Sequence, residues 1–417
     1  SAQSYYFFNF KKNSDDNRKT VIISILFWRI IWGILIIISF YPVMKYINNF
    51  LFNDAIHSST FLIILISSYL TAMVMQFTNL QRLLYKPKPF IVFSFLLPFL
   101  SSVISILLVL NYDFSYTGVI FGNLISLTIL LICLLIYNSS FLSVQSIEFT
   151  FLKKMVKFSF PFLPEALIWY LFSYADRWFV VKMLGESELG VYSVGAKIGL
   201  LLILTTNAFR LAWSPIAMES INNSSDGKIF TDVSRYYLGL GAIIAITLTF
   251  FSKIILFILT TEKYFEAFVI VGPMAIQAVL SSYNLVISPG ILKTEKTFYF
   301  PICLIFGALT NVVLNYYLVP VYGILGAAIS TLAGYTIWNI LLFTVSVQLW
   351  PIKYPKFKII LIFTTLCGGV FTITSLLLHE VKYYFIFIIL MILIALLILE
   401  TFRKEEINKI FSYVNFD

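Results

Sequence analysis

The 417-residue sequence is 60% hydrophobic and only 12% charged, with a formal net charge of +9, and its mean hydropathy is +0.92. Soluble globular proteins carry about 25% charged residues, so this composition excludes a water-soluble enzyme. The length is better divided into membrane spans of about 20 apolar residues than into globular domains. No Walker A, GxSxG, HExxH or GxGxxG motif occurs, which leaves ATP hydrolysis and nucleophilic catalysis by this chain without support.

Twelve apolar runs follow one another along the chain, each long enough to cross a hydrocarbon core of about 30 Å. The two longest connectors, 138–157 and 214–234, leave no room for a soluble domain. The sequence therefore predicts an all-α polytopic membrane protein. The predicted spans are 21–43, 59–80, 89–110, 117–137, 158–184, 188–213, 235–259, 265–290, 297–319, 323–350, 357–378 and 381–401.

The connectors alternate in charge. Most of the 29 Lys and Arg residues lie in every second connector, and by the positive-inside rule this predicts that both ends of the chain are cytoplasmic. Because the basic residues are dispersed over short segments, the net charge does not indicate nucleic-acid binding. The few basic residues in the opposite connectors are Lys45, Lys182, Lys263 and Lys382.

Cysteine and histidine predict neither a metal site nor a cofactor. The three cysteines lie inside apolar runs without CxxC spacing. His57 and His379 lie in connectors far apart in the sequence. We therefore expect no bound metal, no disulfide framework and no cofactor.

Ionisable residues inside the predicted spans are candidates for function, because each costs about 2.5–3.5 kcal/mol at the centre of a membrane helix. Lys253 lies within about two turns of a helix end, where its long side chain is expected to snorkel to the interface. Arg210 serves either as an interfacial anchor or as a ligand contact, and Arg29 and Lys197 lie deeper, with a structural and a functional role both open. The full set is Arg29, Glu165, Asp176, Arg177, Lys197, Arg210 and Lys253.

The span 158–184 carries both acidic residues of this set. Glu165 and Asp176 are 11 residues apart, which is about 20° beyond three full turns of an α-helix, so the two carboxylates share one face. They are candidates for coupling a proton or cation to transport, and the alternative is a salt bridge that only sets helix packing. Pro161 and Pro164 are expected to kink the cytoplasmic end and to provide a hinge.

The buried charges sum to a cationic interior, since the set has five cations and two anions. Arginine binds phosphate oxygens bidentately, and this pairing strengthens where the dielectric is low. We therefore expect the cargo to be an anion that carries phosphate groups.

Two motifs after residue 297 predict helix contacts instead of a ligand site. Gly326, Ser330 and Gly334 recur every four residues, which permits close approach of another helix. Asn311 and Asn315 share one helix face and are expected to hydrogen-bond across such a contact.

Three blocks of the C-terminal half resemble bacterial polysaccharide-biosynthesis flippases. The segment 160–198, FPFLPEALIWYLFSYADRWFVVKMLGESELGVYSVGAKI, resembles their seventh and eighth helices. TEKYFEAF at 261–268 and LTNVVLNYYLVPVYGILGAAISTLAGY at 309–335 follow in the family's order and spacing, whereas the N-terminal third resembles it in helix pattern and in segment 1–12. The family is the O-antigen or repeat-unit translocase branch of the multidrug/oligosaccharidyl-lipid/polysaccharide exporter (MOP) superfamily.

The resemblance implies two lobes of six helices around a central cavity, two extra C-terminal helices, and alternating access without ATP. It assigns 1–157 to four spans of the first lobe, 158–350 to the second lobe and 351–417 to the two extra spans. The first two helices of the family are then expected to be missing, in agreement with a start at Ser1.

The resulting hypothesis is a flippase that moves an undecaprenyl-diphosphate-linked oligosaccharide from the cytoplasmic to the periplasmic leaflet of a bacterial inner membrane. Expected partners are this lipid-linked oligosaccharide, membrane lipids, a polysaccharide polymerase and a chain-length regulator. The candidate anion contacts are Arg29, Arg177, Lys197 and Arg210, and the candidate ion-coupling residues are Glu165 and Asp176.

Two alternatives remain. A cation-coupled multidrug exporter of the same superfamily favours an acidic cavity for cationic drugs, whereas this predicted interior is basic. A polytopic polysaccharide polymerase or ligase usually has a sizeable periplasmic loop, and the connectors predicted here are too short to form one.

Overall fold

The computed structural model describes residues 7, 15–52, 58–112, 115–141, 149–223 and 227–378. All regular elements within these ranges are helices, as predicted, and no strand occurs among them. Helices form along the apolar runs because only a helix or a closed barrel satisfies every backbone polar group in hydrocarbon. The predicted span 381–401 lies outside the described residues.

The first compact unit is Ser1–Val156. Its helices are α1 (Asp15–Phe52), α2 (Ser58–Leu83), α3 (Pro87–Tyr112) and α4 (Ser115–Tyr137), and α5 (Phe149–Ser159) follows at its end. Helix α4 packs against α2 and α3, and α1 packs against α2. Phe77 and Leu127 are fully buried in this unit, whereas Ile91 and Phe95 of α3 are more than 60% exposed, at 63% and 65%, as expected of residues that face lipid.

The second compact unit is Lys157–Asp417. Helix α11 lies at its centre, contacts α7, α8, α9, α13 and α14, and is buried along nearly its whole length. The helices of this unit are α6 (Phe162–Leu184), α7 (Glu186–Gly199), α8 (Leu202–Asn223), α9 (Lys228–Phe250), α10 (Ser252–Leu259), α11 (Phe268–Ile287), α12 (Pro289–Lys293), α13 (Tyr299–Leu349) and α14 (Lys356–Leu378).

Two glycines set the contact between α7 and α11. A Cβ atom on Gly195 would lie 2.6 Å from the Ala267 carbonyl oxygen, and one on Gly199 would lie 2.5 Å from Cβ of Met274. Such distances are shorter than real contacts, so only glycine permits this approach. The close contact fixes α7 against the centre of the unit.

Helix α13 consists of two arms that fold back on each other at Gly323, whose φ and ψ are 58° and −138°. A Cβ atom on Gly307 would lie 2.8 Å from the carbonyl oxygen of Gly334, and the Asn311 amide donates to Thr331 Oγ1 at 3.1 Å. Because the sequence positions rise in one arm as they fall in the other, the arms are antiparallel. The separate predicted spans 297–319 and 323–350 are confirmed.

Several predicted boundaries differ from the structure. The predicted span 188–213 is divided between α7 and α8, which are bent by 44°, and 235–259 is divided between α9 and α10. The predicted loop 138–157 contains a 3₁₀ turn, Ser139–Phe141, and helix α5. Periodicity of apolar residues does not reveal these breaks, because both sides of each break are equally apolar.

The kink predicted at two prolines coincides with the break between α5 and α6 at 160–161, and α6 itself begins after this break. Pro161 directly precedes α6, and Pro164 lies in its first turn. The backbone N–H groups of a first turn have no intrahelical acceptor, so proline costs no hydrogen bond there. The prolines therefore mark the start of the helix and do not bend it.

The described helices identify a multi-pass membrane protein. Eight are long and apolar enough to span a bilayer, or nine when the bent pair α7 and α8 is counted as one span. Helix α13 provides two crossings because it folds back at Gly323. Helix α6 is not among these helices, and its sequence contains the charged residues Glu165, Asp176, Arg177 and Lys182.

Candidate ion-coupling and anion-binding sites in the second unit

Asp176 is the centre of a buried polar network between α6, α7 and α13. Its side chain is 5% exposed. The Tyr192 hydroxyl donates to one carboxylate oxygen, and the backbone N–H of Arg177 donates to the other at 2.7 Å. The Thr331 hydroxyl lies 3.5 Å from the same oxygen as Tyr192. Three donors from three helices therefore surround one carboxylate.

The network continues along the first arm of α13 through two asparagines. Asn311 donates to Thr331, and the Asn315 amide donates to the backbone carbonyl of Asn311 at 2.9 Å. Both side chains are fully buried. Their Oδ1 atoms have no hydrogen-bond partner among the described residues. Buried carbonyl oxygens without a donor are costly, and such oxygens are ligands that a bare cation accepts.

Aromatic side chains pack beside the network, and one of them, Tyr335, interacts electrostatically with Asp176. Phe172 stacks on Tyr335 with ring centroids 4.7 Å apart, and Trp338 meets Tyr335 edge-on at 5.8 Å. Tyr192 and Tyr335 are among the largest fully buried side chains of the described residues. This shell lowers the local dielectric and strengthens any charge interaction inside it.

This arrangement suits a small cation or a proton and does not suit a transition metal. Its ligand atoms are carboxylate, hydroxyl and amide oxygens, which hard cations prefer. No group of three or more His, Cys, Asp or Glu side chains that suits a metal ion occurs in the part of the chain that the structure describes.

Arg177 follows Asp176 but points along the helix surface. Its guanidinium lies over the Tyr174 ring, 5.0 Å from the ring centroid. The side chain is half-buried. A cation over an aromatic face is held without losing all its hydrogen-bond donors, so Arg177 retains donors for an anion.

Glu165 and Arg210 form a second charged group. Glu165 is half-buried on α6, Arg210 is exposed on α8, and the two interact electrostatically. Arg210 also interacts with Tyr237 of α9. The carboxylate neutralises part of the guanidinium charge and competes with any anion that approaches it.

Lys197 is exposed in the last turn of α7, just before the bend into α8. The predicted cations Arg177, Lys197 and Arg210 therefore belong to three consecutive helices of the second unit. At least two of them, Lys197 and Arg210, are exposed at positions within predicted spans. A charge exposed at this depth requires water or an anion beside it.

Arg29 belongs to the first unit and is placed differently. Its guanidinium donates to the backbone carbonyl of Ala72, so it joins α1 to α2. It also interacts electrostatically with Tyr69. These contacts give Arg29 a part in helix packing within its own unit.

Lys253 has a structural role that differs from the predicted snorkelling. Its ammonium donates to the carbonyl of Leu377 at 2.7 Å and lies 4.7 Å from the centre of the Phe268 ring. Leu377 is in the last turn of α14, where carbonyls lack an intrahelical donor. Lys253 therefore caps α14 from another helix.

The sequence pattern does not reveal two members of the Asp176 network. Tyr192 and Thr331 stand in apolar surroundings and carry no spacing signal. The predicted hydrogen bond of Asn311 across a helix contact is confirmed, because its amide donates to Thr331 of the opposite arm of α13. A polar residue every four positions in a membrane helix was the one available signal.

The fold is similar to that of solved MATE transporters and of a lipid II flippase. A solved mutant MATE transporter has a TM-score of 0.69, with 13% identity over 87% of this chain and 83% of that one. An outward-facing multidrug resistance MATE transporter has a TM-score of 0.69, with 14% identity over 83% and 82%. The lipid II flippase MurJ in an inward closed conformation has a TM-score of 0.57, with 18% identity over 98% and 89%.

One family gives a narrower resemblance. Residues 11–212, just under half of the chain, match the family described as polysaccharide biosynthesis protein. This agrees with the family predicted from the sequence, although the blocks at 261–268 and 309–335 lie outside the matched segment. No curated protein matches the sequence significantly.

Proposed function

We propose that this protein is a flippase that translocates undecaprenyl-diphosphate-linked oligosaccharide repeat units of a surface polysaccharide, such as O-antigen, by alternating access. The observation that carries the proposal is the exposure of Lys197 and Arg210 within predicted spans of a chain whose residues 11–212 match a polysaccharide biosynthesis family. Exposed cations at this depth suit an anionic cargo with phosphate groups.

In the proposed mechanism, some charged residues of the second unit contact the cargo and others couple an ion to transport. Arg177, Lys197 and Arg210 contact the diphosphate and acidic groups of the cargo, and Arg29 of the first unit is the fourth candidate contact. Asp176 binds and releases a coupling proton or cation, because its site is small, buried and built from oxygen atoms. Glu165 is the second coupling candidate, since it interacts with Arg210 and would be released when an anion takes its place.

The direction of transport is from the cytoplasmic to the periplasmic leaflet of a bacterial inner membrane, with both ends of the chain in the cytoplasm. An inside-negative potential favours outward movement of negative charge by about 2.3 kcal/mol per charge per 100 mV when the whole field is crossed. A polymerase and a chain-length regulator that act on the delivered repeat units are the proposed protein partners.

A multidrug exporter is the second candidate, because two of the most similar structures are MATE transporters. Cationic drugs would require acidic side chains on the exposed surface of the transport path. The exposed intramembrane residues Lys197 and Arg210 have the opposite charge. The lipid-linked anion is therefore the preferred cargo.

The proposal is tested by reconstitution in vesicles loaded with undecaprenyl-diphosphate-linked saccharide in one leaflet. The protein should increase the amount of saccharide reached by an external glycosidase, and no increase over empty vesicles would contradict the flippase function. Efflux of a cationic dye from the same vesicles would instead support the multidrug exporter.

A further inference from the structure

Helix α8 carries a polar stripe that the charged residues alone did not indicate. Asn207, Arg210 and Ser214 are spaced i, i+3 and i+7, so they lie within about 60° of one another around the helix. Asn207 and Arg210 are exposed and Ser214 is half-buried. Apolar residues Trp213 and Ala217 of the same helix are buried.

The position of this stripe requires water or a ligand beside it. Helices α7 and α8 together are long and apolar enough to form a broken span or a re-entrant loop, and Asn207 and Arg210 lie on α8. An arginine exposed to hydrocarbon near a helix centre costs about 2.5–3.5 kcal/mol, and an exposed carboxamide loses its hydrogen bonds. Leu204 and Leu211, within about 60° of Asn207 on its other side, are also exposed, at 71% and 40%. We infer that the Asn207 and Arg210 side chains meet water or a ligand at the edge of an exposed apolar face.

Asn207 is available to a ligand. Its carboxamide makes no hydrogen bond to the described residues, whereas the nearby Arg210 interacts with Glu165 and Tyr237. A carboxamide offers two donors and one acceptor, which matches a pair of neighbouring sugar hydroxyls. It has no charge with which to hold a phosphate.

We propose that Asn207 contacts the first sugar of the lipid-linked cargo while Arg210 contacts its diphosphate. This inference rests on the proposed function. Three residues of helix separate the two side chains by about 4.5 Å along the axis, which is close to the distance from a phosphate to the sugar ring that it carries. The predicted orientation puts Arg210 nearer the cytoplasmic surface, where the lipid phosphates lie, and Asn207 deeper in the membrane.

The test measures binding of two lipids to the full chain in detergent, bare undecaprenyl diphosphate and undecaprenyl diphosphate N-acetylglucosamine. Asn207→Ala should weaken binding of the sugar-bearing lipid about tenfold and leave the bare lipid unchanged. Arg210→Gln should weaken both. Thr205→Ala is the matched control, because Thr205 is exposed on the same helix about 160° away from Asn207 and should affect neither lipid.

The outcomes separate this inference from the proposed function. If Asn207→Ala binds both lipids as the unaltered protein does, or weakens both equally, Asn207 does not contact the sugar and the inference is wrong. If the unaltered protein binds neither lipid, the proposed function fails first. Thermal unfolding of each variant, compared with the Thr205→Ala control, identifies a change that acts only through folding.

Discussion

The polar groups between α6 and α13 differ from those on α8 in burial and in bonding. Asp176 and Asn311 are buried, at 5% and 0% exposure, and lie in a continuous hydrogen-bond network. Asn207 and Arg210 lie on an exposed stripe. A closed site of oxygen atoms suits a small ion, whereas an open stripe suits a large flexible anion, and we therefore propose that the second unit separates coupling from cargo binding.

The largest expected effect comes from removing the charge of the buried site. Asp176→Asn should abolish the dependence of transport on an imposed proton or sodium gradient, because the amide neither binds nor releases the coupling ion. Flipping in vesicles with and without the gradient measures this. Glu186→Gln, at an exposed position in the first turn of α7, is the control. Unchanged gradient dependence in Asp176→Asn would show that coupling occurs elsewhere.

The second prediction concerns the helix packing that supports the buried network. A Cβ atom at Gly334 would lie 2.7 Å from the Gly307 carbonyl oxygen, so Gly334→Ala should force the arms of α13 apart and cost about 1–3 kcal/mol of unfolding free energy. Gly368→Ala in α14 is the control, because nothing lies within 4 Å of its added Cβ. Thermal unfolding of both variants measures the difference, and equal midpoints would refute the close contact.

The third prediction concerns a half-buried cation, Lys253, that belongs to neither site. Lys253→Met keeps the length of the side chain but removes the bond to Leu377. Loss of this cap should destabilise α14 by about 0.5–2 kcal/mol without changing cargo affinity. Hydrogen exchange of residues 356–378 should increase relative to Lys182→Met, whose side chain is exposed. A change in cargo affinity would instead assign Lys253 to the transport path.

The smallest expected effect concerns the exposed stripe on α8. Glu165→Gln removes a carboxylate that interacts with Arg210, so undecaprenyl diphosphate should bind about two- to fivefold tighter. The difference in undecaprenyl diphosphate binding between Glu165→Gln and the unaltered protein should become smaller as the salt concentration rises, because salt screens the exposed charge. Weaker binding in Glu165→Gln would mean that the carboxylate helps to hold the cargo.

The sequence predicted much of the fold but only part of the sites. Runs of apolar residues located the helices, and the positions of Asp176 and Arg210 inside those runs marked them as costly and therefore of interest. The sequence did not reveal that Lys253 caps α14 or that Arg29 bonds to Ala72. Those roles depend on partners 124 and 43 residues away, a separation that no local pattern encodes.

The sequence by itself determined the all-helical class and most of the spans, because hydrophobicity and helix length follow directly from the demands of a bilayer. Only the tertiary structure decided which polar residues meet. Tyr192, Thr331 and Asn311 join Asp176 because α6, α7 and the folded α13 pack together. The low charge content of the chain identified a membrane protein, and the packing then divided its few internal charges into helix caps, a closed ion site and an open stripe.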